Sequence, residues 1–341
     1  MKHTTKPRLQ AMCLLIASSA STSLLAAVEV DLYGSARIQF ESVNPDSNTH
    51  YANGGHASYI DLRDAYSRIG LNIGWQATEQ ITVFGQVEMP FDIANFKVQD
   101  PYKNTRELRV AQVGLDTHYG TLAYGQMWLP FYNAISYKVD RFSSYYSGYA
   151  TLAYFRAFNA VSYYSPTYNG FSFGAGLIMR DHSDRADGRP NNHYQFTTTY
   201  KNNKTDLSFA IDQQDDKGET RLIGAALGQQ IDRVYFALKL EQASSKATTD
   251  LNVINLYVDY QLNQYTFKGM VAKVDGFGDH ILHFGADYQY SKNLKTFVEF
   301  YQQEKLNAIA NRKRGGAGTP DFIGTLNGGG NAVAVGLRYD F

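Results

Sequence analysis

The sequence contains little of what stabilises small secreted domains or crosses a membrane as a helix. It has one cysteine and 8 prolines among 341 residues, and a lone cysteine excludes an intrachain disulfide. Lysine plus arginine and aspartate plus glutamate number 32 each, a balance that excludes a strongly basic nucleic-acid-binding chain. Beyond the N-terminal segment, no apolar run approaches the ~20 residues that a transmembrane helix needs.

Residues 1–27 have the pattern of a secretory signal peptide. Three basic residues precede an apolar stretch and then a run of small residues, the order typical of such a segment. Serines and threonine interrupt the apolar stretch, which disfavours a membrane anchor. We predict cleavage near Ala26 or Ala27, so that the sole cysteine, Cys13, is removed and residues 28–341 form one mature domain.

What the sequence does have is aromatic residues and strict apolar/polar alternation. It contains 26 tyrosines, 20 phenylalanines and 29 glycines. Residues 28–42 and 331–341 both alternate with a period of two, which predicts β-strands rather than helices. Two such strands at the ends of one domain suit a barrel that closes its first strand on its last. A closed barrel can span a membrane because alternation turns half of each strand toward the lumen.

Alternating segments recur along the rest of the chain. Together with the two terminal segments they predict sixteen strands, an even number as in bacterial single-chain barrels. Two secreted β-sandwich domains are the alternative, but they would show a linker and a change in composition, and the sequence has neither. The further predicted strands lie near 67–76, 81–91, 106–115, 121–129, 154–165, 171–180, 193–200, 205–213, 219–228, 232–242, 252–260, 265–274, 281–290 and 295–303.

Seven of the predicted connections are short, and aromatic residues stand beside them. The other connections are mostly longer and polar. This order predicts periplasmic turns under an interfacial aromatic girdle, with extracellular loops at the opposite end. The girdle residues are Trp75, Tyr119, Phe171, Tyr200, Tyr260, Tyr265 and Tyr290, with Phe341 at the same edge.

Several charged residues fall at lumen-facing positions of the predicted strands. On the lipid face each arginine would cost about 2–4 kcal/mol. Arg109 fits this alternation less well. If Arg109 faces the lumen, Gln112, three residues later, faces outward, where a subunit interface could bury it. The simplest interpretation is that these charges are solvated lumen groups. The set is Arg37, Arg68, Arg109, Arg156, Glu88 and Asp92.

Six segments resemble the trimeric, sixteen-stranded general porins of Gram-negative outer membranes: DLYGSA (31–36), SRIGLNIG (67–74), ITVFGQVE (81–88), RVAQVGL (109–115), YGTLAYGQ (119–126) and VAVGLRYDF (333–341). The resemblance implies a passive outer-membrane channel for small hydrophilic solutes and ions. It implies a homotrimer in contact with outer-membrane lipid, and no cofactor. Phe341 resembles the terminal signal read by the outer-membrane assembly machinery.

The resemblance also implies a basic ladder on the barrel wall at Arg68, Arg109 and Arg156. At the first-strand position where the family usually has a basic residue, this chain has Ser35, with Arg37 two residues further on. The ladder would face the segment that narrows the channel.

Residues 130–153 correspond to the third loop, which in that family folds into the barrel. The family's acidic Pro-Glu-Phe-Gly-Gly pattern is absent, and Asp140 is the only acid, between Lys138 and Arg141. We therefore expect weak selectivity, neutral to anion-leaning. The loop is rich in tyrosine, including Tyr137. These rings could stack on sugars or aromatic solutes in a substrate-selective porin, for instance one for oligosaccharides, but packing against the wall is the favoured interpretation.

Enzyme or metal-site motifs would indicate a third class of function. The segment GFSFG (170–174) matches a nucleophile elbow around Ser172, but that motif needs a strand-to-helix turn. Here it opens a predicted strand, so a chance match is favoured over an outer-membrane hydrolase, and we predict no enzyme. His280 and His283 are three residues apart, on opposite faces of a strand, and make a poor metal pair. DHSDRADG (181–188) lacks calcium-loop spacing.

Overall fold

The structure is a computed structural model, and it describes residues 28–46, 58–101, 108–179, 192–215, 218–276, 278–305, 309 and 329–341. The predicted signal peptide and the DHSDRADG segment lie outside the described residues. None of the helices in the described part of the chain is long and apolar enough to cross a membrane.

Seventeen strand segments form one antiparallel sheet. A short helix, α1 (Pro130–Ala134), and a 3₁₀ turn (Ser136–Lys138) follow the strand that ends at Trp128. The strands are β1 (Val28–Pro45), β2 (Tyr59–Asp64), β3 (Arg68–Thr78), β4 (Ile81–Pro90), β5 (Val110–Thr117), β6 (Gly120–Trp128), β7 (Arg156–Tyr164), β8 (Phe171–Ile178), β9 (His193–Lys201), β10 (Thr205–Gln214), β11 (Arg221–Ile231), β12 (Val234–Ser244), β13 (Leu251–Leu262), β14 (Tyr265–Val274), β15 (Gly278–Gln289), β16 (Leu294–Gln303) and β17 (Gly330–Asp340).

The sheet closes into a barrel of sixteen strands, because β2 and β3 are two halves of one broken strand. Both halves pair with β1, β3 along its first half and β2 along its second. On its other edge β1 pairs with β17, which removes the free edges. Sixteen strands, and closure of the first on the last, confirm the architecture predicted from the alternation.

The break between β2 and β3 turns one tyrosine into the lumen. Tyr66 has a positive φ of 67°, and its ring stacks on Tyr145 of the third loop with centroids 5.6 Å apart. The Tyr66 hydroxyl also donates to the Tyr145 carbonyl at 3.0 Å. The Asp64 carboxylate accepts the Ser67 N–H at 3.0 Å and so holds the break. Such irregularities commonly re-aim a side chain near a functional site.

The two faces of the strands differ as a membrane barrel requires. Large apolar side chains are exposed on the outer face, where lipid would cover them, and polar side chains line the interior. On β13 the buried side chains are Val253, Asn255, Tyr257 and Asp259, and the exposed ones are Ile254, Leu256, Val258 and Tyr260.

The short turns lie at the end of the barrel that carries the predicted aromatic girdle. Trp75, Tyr119, Phe171 and Tyr290 are all exposed there. Phe341 pairs with Gly34 through both backbone hydrogen bonds, and its ring lies where a Cβ on Gly34 would stand. A glycine at position 34 therefore lets the last ring lie flat on the first strand.

Three details differ from the strand predictions. The loop predicted over 42–60 is shorter, because β1 extends to Pro45 and β2 begins at Tyr59. The strand predicted to begin at residue 106 begins at Val110. Arg109 therefore lies before the strand, and the alternation of strand residues does not determine the direction of its side chain. The prediction that Gln112 faces outward is therefore wrong. Gln112 lies opposite Gln86 on the lumen face and donates to its side-chain oxygen at 2.7 Å.

The third loop, residues 129–155, folds into the lumen between β6 and β7. Its buried side chains, among them Phe142, Tyr145 and Tyr146, pack against lumen residues such as Tyr257 and Tyr301 of the opposite wall. The loop therefore fills one side of the lumen.

Candidate functional site

A cavity of about 600 Å³ lies between the third loop and the wall built by β1, β3, β7 and β17. Within the described ranges, its charged lining consists of Arg37, Arg68, Arg109, Arg141, Arg156, Arg338 and one acid, Asp140. Its aromatic lining consists of Tyr66, Trp128, Tyr132, Tyr137, Phe142, Tyr149 and Phe155. The lumen is thus basic on the wall and aromatic on the loop.

Strand register brings the wall arginines together. Arg37 stands directly opposite Arg338 across the closing pair of strands, and Arg68 stands opposite Ser35 on the other edge of β1. Because side chains two residues apart share a face, all three guanidinium groups reach the same side of the lumen.

Glu88 partly neutralises this wall. Its carboxylate accepts Arg109 Nε at 2.7 Å and lies 3.3 Å from Arg68 Nε. Arg338 has its own partner, since Arg338 Nε donates to Asp340 at 2.8 Å. A carboxylate therefore holds each of these three side chains, Arg68, Arg109 and Arg338, through its Nε atom.

Arg37 and Arg156 differ from the other wall arginines. Arg37 Nε donates to Ser35 Oγ at 2.7 Å, and the Arg156 guanidinium lies 4.8 Å from the centre of the Trp128 ring. Arg156 Nη1 also donates to the Arg109 carbonyl at 3.4 Å. Among the described residues, neither guanidinium has a carboxylate within ion-pairing distance. These two positive charges are therefore not neutralised by a direct ion pair within the described part of the chain.

The loop side of the cavity carries one acid and one base. Asp140 accepts hydrogen bonds from the Tyr132 hydroxyl, at 2.6 Å, and from the Ser147 hydroxyl. Burial and the Asp140 carboxylate hold the pKa of Tyr132 well above its usual range, so this hydroxyl stays protonated and donates. Arg141 lies 3.5 Å from Asp259 and 4.1 Å from the centre of the Tyr235 ring.

The comparisons with known proteins agree with this architecture. A model of the Gram-negative porin family matches residues 11–308. The chain belongs to the Gram-negative porin family.

The chain is 22% identical to the major outer membrane protein of Pasteurella multocida, over 97% of this chain and 98% of that protein. Among solved structures, it resembles an anion-selective porin from Comamonas acidovorans at 17% identity, with a TM-score of 0.69 over 92% of this chain and 100% of that one. It also resembles the outer membrane protein OmpT of Vibrio cholerae in its trimer form, at 14% identity and a TM-score of 0.65, over 92% and 100%. Family and fold support an outer-membrane channel, and the chain is assigned to the outer membrane.

Carboxylates on β12 and β16 of the porin barrel hold the third loop. Glu299 accepts the backbone N–H groups of Ser143 and Ser144 at 2.8 and 3.0 Å. Glu241 accepts the Thr151 hydroxyl and the Leu152 N–H at 2.6 and 2.9 Å. These bonds give the loop a fixed position inside the barrel, so the width of the cavity is a property of the fold.

The structure places two of the sequence-predicted residues away from the cavity. Lys138 is buried on the far side of the loop, where its Nζ donates to Asp206 at 2.6 Å and Ser208 at 3.0 Å. Burial lowers the pKa of Lys138, while Asp206 opposes that shift. Asp92 follows the end of β4 at Pro90 and accepts hydrogen bonds within its own turn. Neither Lys138 nor Asp92 lies in a regular strand, so no alternation in the sequence indicates the direction of its side chain.

The tyrosines of the loop divide into two groups. Tyr145 and Tyr146 are fully buried, and the Tyr146 hydroxyl donates to Glu41 at 2.9 Å. They pack the loop against the wall, as the favoured interpretation expects. Tyr137 is 62% exposed and lines the cavity, with Tyr149 half-buried nearby.

The sequence reasoning missed several residues of the cavity, among them Tyr66 in the break between β2 and β3. Arg338 shares the lumen parity of the last strand, and only closure on β1 reveals that it stands beside Arg37. Trp128 and Phe155 flank the loop and belong to the same aromatic cluster, with ring centroids 6.4 Å apart. No local pattern distinguishes them from outward-facing aromatic residues.

The candidate enzyme and metal motifs have ordinary places in the fold. Ser172 lies inside β8 opposite Thr199 of β9, with no strand-to-helix turn beside it. His283 is buried, with its Nε2 3.0 Å from Glu299, whereas His280 is exposed beside Glu304. Across the described ranges, no group of three His, Cys, Asp or Glu side chains is placed to hold a metal ion.

Proposed function

We propose that this porin is a passive diffusion channel for small hydrophilic solutes and ions, with a weak preference for anions. The observation that carries the proposal is the charge of the cavity lining, which among the described residues contains six arginines and one aspartate. In a narrow lumen, the nearest ring of charges biases which ions pass. The similarity to a solved porin described as anion-selective agrees with this direction.

The width and charge of the cavity can be tested together. In planar bilayers under a KCl gradient, the reversal potential is expected on the chloride side of zero but well below the value for an ideal anion channel. In liposome swelling, sugars should enter at rates that fall smoothly with size. A clear potassium preference would contradict the proposed selectivity. Rapid entry of one oligosaccharide class, out of order with its size, would favour the substrate-selective alternative.

We further propose a homotrimer whose assembly depends on Phe341. The proposal is supported by the solved relative described in its trimer form and by the position of Phe341 at the closing pair. In mild detergent the protein should migrate as a trimer that heating converts to a monomer. A monomer before heating, at concentrations that retain the folded barrel, would contradict the trimer.

A further inference from the structure

We propose that the cavity between the third loop and the arginine wall is a binding subsite for small aromatic carboxylates. The inference rests on the proposed function, because it assigns a solute class to the same cavity. Two halves of the lining support it: a buried cation that has no carboxylate partner among the described residues, and a cluster of aromatic rings.

The cationic half is centred on Arg37. This side chain is only 9% exposed, yet it lines the cavity. Its Nε is occupied by Ser35, and the nearby Asp340 carboxylate is bound by Arg338 and Ser35. A buried charge without a counter-ion is costly, so an anion entering the cavity stabilises it. A planar guanidinium favours a carboxylate, which it can bind through two parallel hydrogen bonds.

The aromatic half lies at the start and end of the third loop. Trp128 stacks on Tyr132 with centroids 4.8 Å apart, and Tyr132 lies 4.6 Å from Phe155. Tyr137 meets Tyr132 edge-on at 6.5 Å and is 62% exposed. An exposed ring at the edge of such a cluster offers a face on which another ring can stack.

Arg156 joins the two halves, because its guanidinium lies over the Trp128 ring and hydrogen-bonds to the Arg109 carbonyl. The space of about 600 Å³ falls within the ~300–1,000 Å³ typical of small-molecule sites. Both halves line this one space, so it offers a solute with a flat ring and a carboxylate both kinds of contact. An aliphatic carboxylate gains only the arginine contacts, and a neutral aromatic gains only the ring contacts.

The test uses the full-length protein in planar bilayers and measures how strongly added solutes block the chloride current. Benzoate is compared with cyclohexanecarboxylate, which has the same charge and carbon skeleton without the π-system, and with neutral benzyl alcohol. Benzoate should block at a concentration about 2- to 10-fold lower than cyclohexanecarboxylate, the range expected for one aromatic contact. Benzyl alcohol should not block over that range. Equal block by the two carboxylates overturns the inference.

Variants then locate the subsite. Tyr137→Ser and Tyr137→Leu should both abolish the preference for benzoate over cyclohexanecarboxylate, the second while retaining apolar packing. Arg37→Gln should weaken block by both carboxylates. The control is Tyr168→Ser, since Tyr168 is also 62% exposed but lies in the turn between β7 and β8. Retention of the benzoate preference in both Tyr137 variants, or its loss in the control, overturns the assignment.

The same bilayers separate this inference from the proposed function. The reversal potential is measured in KCl before any aromatic solute is added. A potassium-selective wild type overturns the proposed anion preference. A chloride-leaning wild type that does not distinguish benzoate from cyclohexanecarboxylate overturns the aromatic subsite alone.

Discussion

Replacing Arg37 and Arg156 together with glutamine is expected to move the reversal potential under a KCl gradient clearly toward potassium. Among the described residues these are the wall arginines without a carboxylate partner, so their removal takes away positive charge that no direct ion pair within the described part of the chain neutralises. A unit charge ~8 Å from a permeating ion contributes about 0.5–2 kcal/mol at effective dielectric constants of ~80 to ~20. Each charge therefore changes local ion occupancy by about 2- to 30-fold, and the permeability ratio should shift several-fold.

A matched control separates local from total charge. Lys204 and Lys292 are exposed cations at the short-turn end of the barrel, and replacing both with glutamine changes the net charge by the same amount. We expect the control to leave the reversal potential nearly unchanged, because charges beyond about 8 Å are largely screened at physiological salt. An equal shift in the two double variants would show that the arginine wall does not set selectivity.

Position in a regular strand decided how much of this wall could be predicted from the sequence. Arg37, Arg68 and Arg156 could be placed toward the lumen because a strand has a period of two and lipid penalises a charge on its outer face. Arg109 lies one residue before β5, so extending the strand alternation from Arg109 gave the wrong direction for the Gln112 side chain. The pairing of Glu88 with two arginines was not predictable, because it depends on the register between neighbouring strands.

The third loop marks the limit of sequence reasoning. Its inward course followed from a resemblance, but its side-chain directions did not, because an irregular segment has no period. Asp140 and Lys138 are separated by one residue, yet one lines the cavity and the other is buried against Asp206. A long-range bond to Asp206 on β10 holds Lys138, whereas two hydroxyls of the loop itself, those of Tyr132 and Ser147, hold Asp140. Another carboxylate that holds the loop belongs to Glu299.

Replacing Glu299 with glutamine should loosen the third loop and raise both single-channel conductance and open-channel noise. The buried carboxylate accepts two loop N–H groups, lies beside His283, and binds Lys268 Nζ at 2.9 Å. A glutamine keeps the shape but has one acceptor oxygen, and it presents an amide donor to groups that themselves donate. Loss of a buried charge partner commonly costs about 3–5 kcal/mol, although Asp287 still pairs with Lys268 at 2.8 Å. We expect a loss of about 3 kcal/mol in the free energy of unfolding, measured by denaturant titration in detergent.

Glu219→Gln is the control for this variant. Glu219 pairs with Lys246 at 2.7 Å, but both side chains are mostly exposed, and such surface pairs contribute only about 0–1 kcal/mol. Neither conductance nor stability should change measurably. A Glu299 variant that loses stability but keeps wild-type conductance and noise would show that the other bonds of the loop fix it, chiefly those that Glu241 accepts from the Thr151 hydroxyl and the Leu152 N–H. In that case the cavity width would depend on the later part of the loop rather than on the turn at Ser143 and Ser144.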